Sequence, residues 1–308
     1  MSSSSLITSP SASTSPAVSS ASTVPTSQQD GDPAIVRFTN VEDLFDSINR
    51  ATGDFLIVTH VSPRHFTRIE RERQKRRRKF RFRRYDSDTQ ILFITIPTGV
   101  HEALHLELNS IYLEELSRMG LSLRHAWSLI GAETFRQDHP GGNSGEGDST
   151  GGPRPERSRG RWPTLVIEAG YSETLQELHN DMRWWFRASN HDVKIVILAK
   201  FYYQQRYILL ERWEEENSYP QGAITRSRAA AMSQQNQNGV LEPVKRQSIT
   251  IWRDETTNPV SYNVIREALV LEFRLLFLRD PGPQEGDVVL SIQDLQLYAE
   301  SVWDRVRD

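Results

Sequence analysis

The stretch Trp162-Pro163-Thr164-Leu165-Val166-Ile167-Glu168-Ala169-Gly170 decides how this chain is read. Behind Pro163 runs a short aliphatic and β-branched segment, the pattern of a strand buried on both faces. Glu168 interrupts it. A carboxylate inside a buried strand is expensive unless it is paired or metal-bound, so Glu168 is the first candidate site residue. Downstream, a helix is expected over about 174–188 and an apolar strand over Val193 to Leu198. Upstream, residues 137–161 read as a loop rich in Gly, Ser, Pro and Arg that carries Glu146-Gly147-Asp148-Ser149.

Before that loop the spacing predicts a long helix, about Val100 to Met119, with Leu104, Leu108, Ile111, Leu116 and Met119 near one stripe and Gly120 as its cap. A hairpin precedes it: Phe80-Arg81-Phe82-Arg83 alternates at strand spacing, Asp86 to Asp88 turns, and Ile91 to Ile96 returns. A helix at Asn40 to Ile48 and a strand at Phe55 to Val58 stand earlier. Strands at 201–212 and 248–253, an apolar run from Ala268 to Phe277, a strand at Val288 to Leu290 and a helix at 291–306 follow. This order predicts an α/β (α+β) domain with a mixed β-sheet flanked by helices.

The 308 residues allow one large domain or two modest ones. Residues 1–33 are Ser/Thr/Pro-rich and too poor in large apolar groups to offset their ordering entropy, so a disordered tail is expected there. A single domain is expected over 34–306, with residues 214–248 as a flexible insertion. The net charge of −3 argues against nucleic acid over the whole surface, and the absence of cysteine excludes disulfides, thiolate zinc sites and a cysteine nucleophile. No membrane span or signal peptide is visible, which predicts an intracellular protein of nucleus or cytoplasm. Residues 68–84 hold eleven Arg or Lys against two Glu. Such a run reads as a nuclear localisation signal, as a contact to DNA or RNA backbone through 71–84, or as a solvated charged hairpin.

The helix opening Thr98-Gly99-Val100-His101-Glu102, the aspartate in Glu146-Gly147-Asp148, and the strand ending at Glu168 together resemble the restriction-endonuclease-like PD-(D/E)XK superfamily. The segments Pro163 to Glu173 and Asp181-Met182-Arg183-Trp184-Trp185 are similar to fungal proteins of that kind. The resemblance covers roughly residues 80–205. It implies a Mg²⁺-dependent nuclease acting on DNA, with Asp148, Glu168 and Glu102 as metal ligands. Carboxylates suit this because Mg²⁺ takes hard oxygen ligands and activates a bound water. The family's lysine two residues after the glutamate would fall at Gly170, so it is missing here. Arg183 and Lys194 are the candidate replacement cations, although arginine cannot serve as a base. Glu107 is the alternative to Glu102 on a rotated helix, and His101 reads as a helper. Glu173 reads as a surface cap or ion pair, and Trp184 and Trp185 read as core. The second expectation is a catalytically inactive nuclease-fold protein that binds nucleic acid or a protein partner.

Overall fold

The computed structural model describes Met1 and residues 34–131, 133–137, 142–158, 160–218 and 240–306. The expected tail, and the part of the expected insertion at 219–239, lie outside the described residues. Strand β1 (Ala34–Arg37) leads into α1 (Val41–Arg50), whose N-cap Asn40 accepts the Asp43 amide. Next come β2 (Phe55–Thr59) and α2 (Pro63–Lys75), which starts at Ser62 with Pro63 in its first turn. The hairpin β3 (Arg81–Asp86) and β4 (Ile91–Thr95) precedes α3 (Gly99–Arg118), capped by Thr98. Short strands follow: β5 (Trp127–Leu129), β6 (Thr134–Arg136), β7 (Ser144–Glu146) and β8 (Ser149–Pro153). A β–α–β unit comes next, made of β9 (Leu165–Gly170), α4 (Leu175–Ala188) and β10 (Ile195–Tyr202). The chain ends with β11 (Tyr207–Ser218), β12 (Val240–Asp254), β13 (Ser261–Ile265), β14 (Leu269–Leu271), α5 (Phe273–Phe277), β15 (Val288–Leu290) and α6 (Ile292–Trp303).

The α/β class holds, but the strands divide between two large sheets where the sequence predicts one. A six-stranded sheet runs β1-β2-β4-β3-β7-β6, a seven-stranded sheet runs β13-β12-β11-β10-β9-β8-β5, and β14 pairs with β15 alone. In the larger sheet β9 and β10 are parallel, joined through α4, while β8 and β11 flank them antiparallel. Leu165, Ile167 and Ala169 of β9 face the core shared with α3 and α6, and Val166 faces Leu178, Met182 and Trp185 of α4. Each such buried side chain contributes about 1.5–3 kcal/mol. Among the described residues no helix is long and apolar enough to cross a membrane.

Three local expectations change. The stretch 137–161 is not all loop, because it contains β7 and β8, which are buried. Their Ser-Gly and Gly-Gly sequences carry little strand propensity. Bare glycine backbone lets tryptophan rings close on them instead. The basic run 68–84 is mainly the end of α2 and the turn beyond it, with only its last residues in a strand. The 214–248 insertion is shorter than expected, because β11 and β12 pair from Tyr207↔Trp252 out to Ser218↔Val240.

Gly145 marks one such approach. A Cβ there would sit 2.6 Å from the Trp184 ring and 2.8 Å from the Arg83 carbonyl. Gly145→Ala should therefore destabilise the protein by about 1–3 kcal/mol in chemical denaturation. An unchanged midpoint would show that α4 can retreat from β7.

Candidate functional site

The site forms where the chain changes sheets. Gly147 and Asp148 connect β7 of one sheet to β8 of the other, which places Asp148 at the junction. Strand β3 lies against this junction, and its register is the key to it. Phe82 pairs with Ile94 and Arg84 with Phe93, so Arg83 is the extra residue of a β-bulge. Strict alternation would put Tyr85 on the opposite face from Phe82. The bulge resets the parity, so both rings enter the same core while Arg83 and Arg84 turn toward α4.

Arg83 is buried among four carboxyl groups. Its Nη1 lies 3.6 Å from Asp148 Oδ2 and 3.0 Å from Glu173 Oε2, its Nη2 lies 3.3 Å from Glu168 Oε2, and its Nε donates to Asp181. Nη1 also donates to the Ala169 carbonyl at 3.0 Å. Glu168 accepts the Trp185 indole N–H at 2.5 Å. Arg84 Nη1 reaches the second oxygen of Asp181 at 2.8 Å. A second arginine closes the outer side: Arg81 donates to Asp148 Oδ1 and to Glu102 Oε1, both at 2.8 Å. Removing a buried partner of this kind leaves an uncompensated charge, at a cost of about 3–5 kcal/mol.

His101 ties this cluster to the first sheet. Its Nδ1 meets Asp54 Oδ2 at 2.9 Å and its Nε2 meets Asp148 Oδ1 at 3.1 Å. Asp54 also accepts the backbone amides of Tyr171 and Ser172, at 3.2 and 2.8 Å. His105 lies one turn on, 2.8 Å from Ser149 Oγ and 3.3 Å from Glu102 Oε1. Burial disfavours the charged imidazole of His101, but Asp148 and Asp54 override it and push its pKa up to about 9. Burial also opposes ionisation of Asp148 and Asp54. His101 and Arg83 hold Asp148 well below the usual carboxylate range, and His101 with Ser172 holds Asp54 at about 2. Glu168 goes the other way. Burial pushes it up to about 8 against the pull of Arg83, and Glu173 is likewise raised by burial. Asp148 and Asp181 thus share further cations, whereas Glu168 and Glu173 face Arg83 alone and burial raises both.

Glu102, Asp148 and Glu168 are therefore brought to one place, around Arg81 and Arg83. The expected cations are not there. Arg183 is exposed on α4 and reaches only Asn180 at 3.4 Å, because α4 turns its Asp181 and Trp185 face inward. Lys194 lies at the opposite end of β10 from the acids and bonds the His191 carbonyl at 2.6 Å. Glu107 takes no part in these pairs, whereas Glu173 is buried in the cluster instead of capping a helix at the surface. The Thr174 side chain provides that cap. Trp185 is core, as expected, and its indole also serves Glu168. The functional residues missed by the sequence reading are Arg81, Arg83, Asp181 and Asp54. The Phe-Arg-Phe-Arg alternation is the signal that held the two arginines. Lys200, fully buried on β10 opposite Gly170, extends to the Tyr171 carbonyl at 2.5 Å.

The acid set does not fit Mg²⁺. Among the described residues only His101, Glu102 and His105 offer three ligand atoms within 4.8 Å of one another. Asp148 and Glu168 are not in that group, and the Arg83 guanidinium contacts both. His101 has a carboxylate on each ring nitrogen and holds a proton, and Arg81 lies between Glu102 and Asp148. Mg²⁺ takes one or two carboxylates and keeps waters on its other positions, and here the oxygens of Asp148, Glu102 and Glu168 are already turned to protein cations.

Beside the cluster opens a cleft of about 510 Å³, lined by Arg73, Arg77, Arg78, Lys79, Arg81 and Arg136 with Glu70 and Glu146. Arg73 is committed to Glu146 through two hydrogen bonds of 2.8 and 2.6 Å, and Arg136 pairs with Glu70. Arg77, Arg78 and Lys79 are exposed and have no acid partner among the described residues. No protein-family model matches the chain, and no curated protein matches it in sequence.

The charge states give a pH signature. Glu168 is ordinary at 4.5 when unfolded and about 8 when folded, so folding takes up a proton between these values and stability falls as pH rises through that window. His101 adds stability that is complete below 6.5 and lost as pH rises through about 9. Glu168→Gln keeps an acceptor for Trp185 and cannot ionise. Melting curves should show it gaining on the wild type from pH 5 to pH 8 and following it above. A constant offset at all pH values would contradict the buried, protonated Glu168.

Proposed function

We propose that this chain is a nucleic-acid-binding protein on a restriction-endonuclease-like fold, with an acid cluster that does not support metal-assisted hydrolysis. The observation that carries this reading is the cleft edge Arg77-Arg78-Lys79, exposed and outside any salt bridge among the described residues, with the Arg78 guanidinium hydrogen-bonded only to the neutral Asn49 side chain, and adjoining Arg81 at the acid cluster. Clustered exposed cations outside any salt bridge are the electrostatic footprint of a phosphate backbone. The arrangement of α3, β8 and β9 around Glu102, Asp148 and Glu168 supports the nuclease-like origin, and the guanidinium between the acids supports the loss of hydrolysis.

Backbone strain adds to this. The Arg77 amide bonds the Gln74 carbonyl at 3.2 Å and the Arg78 amide bonds the Arg73 carbonyl at 3.1 Å, a helix-ending motif whose left-handed position favours glycine. The equivalent position at the end of α3 is Gly120, with φ of 76°. Here Arg77 holds φ of 49°. A left-handed arginine costs about 1–2 kcal/mol, and its charged side chain faces the cleft.

Arg77→Gly should therefore raise stability by about 1 kcal/mol while weakening binding to DNA or RNA. Replacing Arg77, Arg78 and Lys79 together with alanine should lower the slope of log affinity against log salt by about 3, or about one for each phosphate no longer neutralised. Fluorescence anisotropy over a salt series measures both. Binding that ignores salt, or that survives the triple replacement unchanged, sinks the reading. The convergence of Glu102, Asp148 and Glu168 favours a second reading, a metal-dependent nuclease. Plasmid nicking that requires Mg²⁺ or Mn²⁺ and disappears in Asp148→Asn would carry it.

A further inference from the structure

A divalent ion binds carboxylate oxygens at about 2.0–2.6 Å, so oxygens sharing one ion lie within about 5 Å of each other. Asp148, Glu168, Glu173 and Asp181 do not assemble such a set, because each faces the guanidinium of Arg83 instead. Arg83 is 2% exposed, is delivered by a bulge in β3, and donates to Asp181 and the Ala169 carbonyl as well. These bonds fix it from several directions. Guanidinium stays charged at any pH the protein meets, so it neutralises the cluster permanently and needs no ion from solution.

We propose that Arg83 is a built-in cation that takes the place of a divalent ion, leaving a metal site between Asp148 and Glu168 that is closed in the wild type and opens when the guanidinium is removed. The proposal rests on the nuclease-like reading of the acid cluster but not on the cleft. Failure of nucleic-acid binding would leave it standing. The geometry also explains why the acids converge on one guanidinium without sharing an ion. Shortening Arg83 leaves Glu168 and Glu173 with no cation and opens space beside Asp148, which keeps Arg81 and His101, and this is the condition under which a divalent ion gains most from entering.

Mn²⁺ added to the full chain tests this, with binding read by isothermal titration and by melting temperature in Mn²⁺ against EDTA. The wild type should bind no Mn²⁺ at the cluster and melt identically in both. Arg83→Ala should melt lower in EDTA, recover in Mn²⁺, and bind the ion at least about tenfold more tightly than the wild type. Arg83→Ala combined with Glu168→Gln should lose that gain. Arg83→Met keeps the side-chain volume and carries the same expectation if the alanine variant does not fold. A folded variant with no gain in Mn²⁺ affinity overturns the proposal. So does Mn²⁺ binding by the wild type that disappears in Asp148→Asn.

Discussion

The contact between the Arg83 guanidinium and its four carboxyl partners is the constraint around which this structure is arranged. It joins β3 of one sheet to β9 and α4 of the other and to Asp148 on the connection between the sheets. In a low-dielectric interior neither side is tolerable alone. Unpaired acids would have to take up protons, and an unpaired guanidinium cannot release one. Several local features follow from this requirement. The bulge aims the side chain, Gly145 leaves room for the Trp184 ring and the Arg83 carbonyl, and Trp185 supplies a hydrogen bond to Glu168. His101 repeats the principle nearby, bridging Asp54, just before β2, to Asp148 at the junction of the sheets.

Much of this was legible in the sequence, for identifiable reasons. A carboxylate after Leu165-Val166-Ile167 had to be answered by something, so Glu168 stood out. Glu102 and Asp148 were picked out by the resemblance to the PD-(D/E)XK motif order. The answering cations were not legible. Arg183 and Lys194 are close to Glu168 along the chain, but helix phase turns one outward and the other lies at the far end of its strand. Arg81 and Arg83 come from a strand about eighty residues earlier, inside a run whose composition reads as surface. Only the bulge, a backbone event with no side-chain signature, decides that Arg83 points inward. Strands β7 and β8 escaped for a related reason, since glycine backbone against tryptophan rings looks like loop when read one residue at a time.

One basic run thus does two jobs. Its last arginines are buried and neutralise acids, while Arg77, Arg78 and Lys79 remain at the surface along the cleft. Arg81 belongs to both regions, lining the cleft and bonding Glu102 and Asp148. A chain with net charge −3 can therefore present a local positive edge, because acids elsewhere carry the balance. The left-handed Arg77 lies on the same edge, with backbone strain at a residue whose side chain lines the cleft.

Anomalous diffraction at the manganese edge, from wild-type crystals soaked in Mn²⁺, tests this account most directly. The account predicts guanidinium density between Asp148 and Glu168 and no anomalous peak at the cluster. A manganese peak bridging those two carboxylates, with Arg83 displaced, would contradict it.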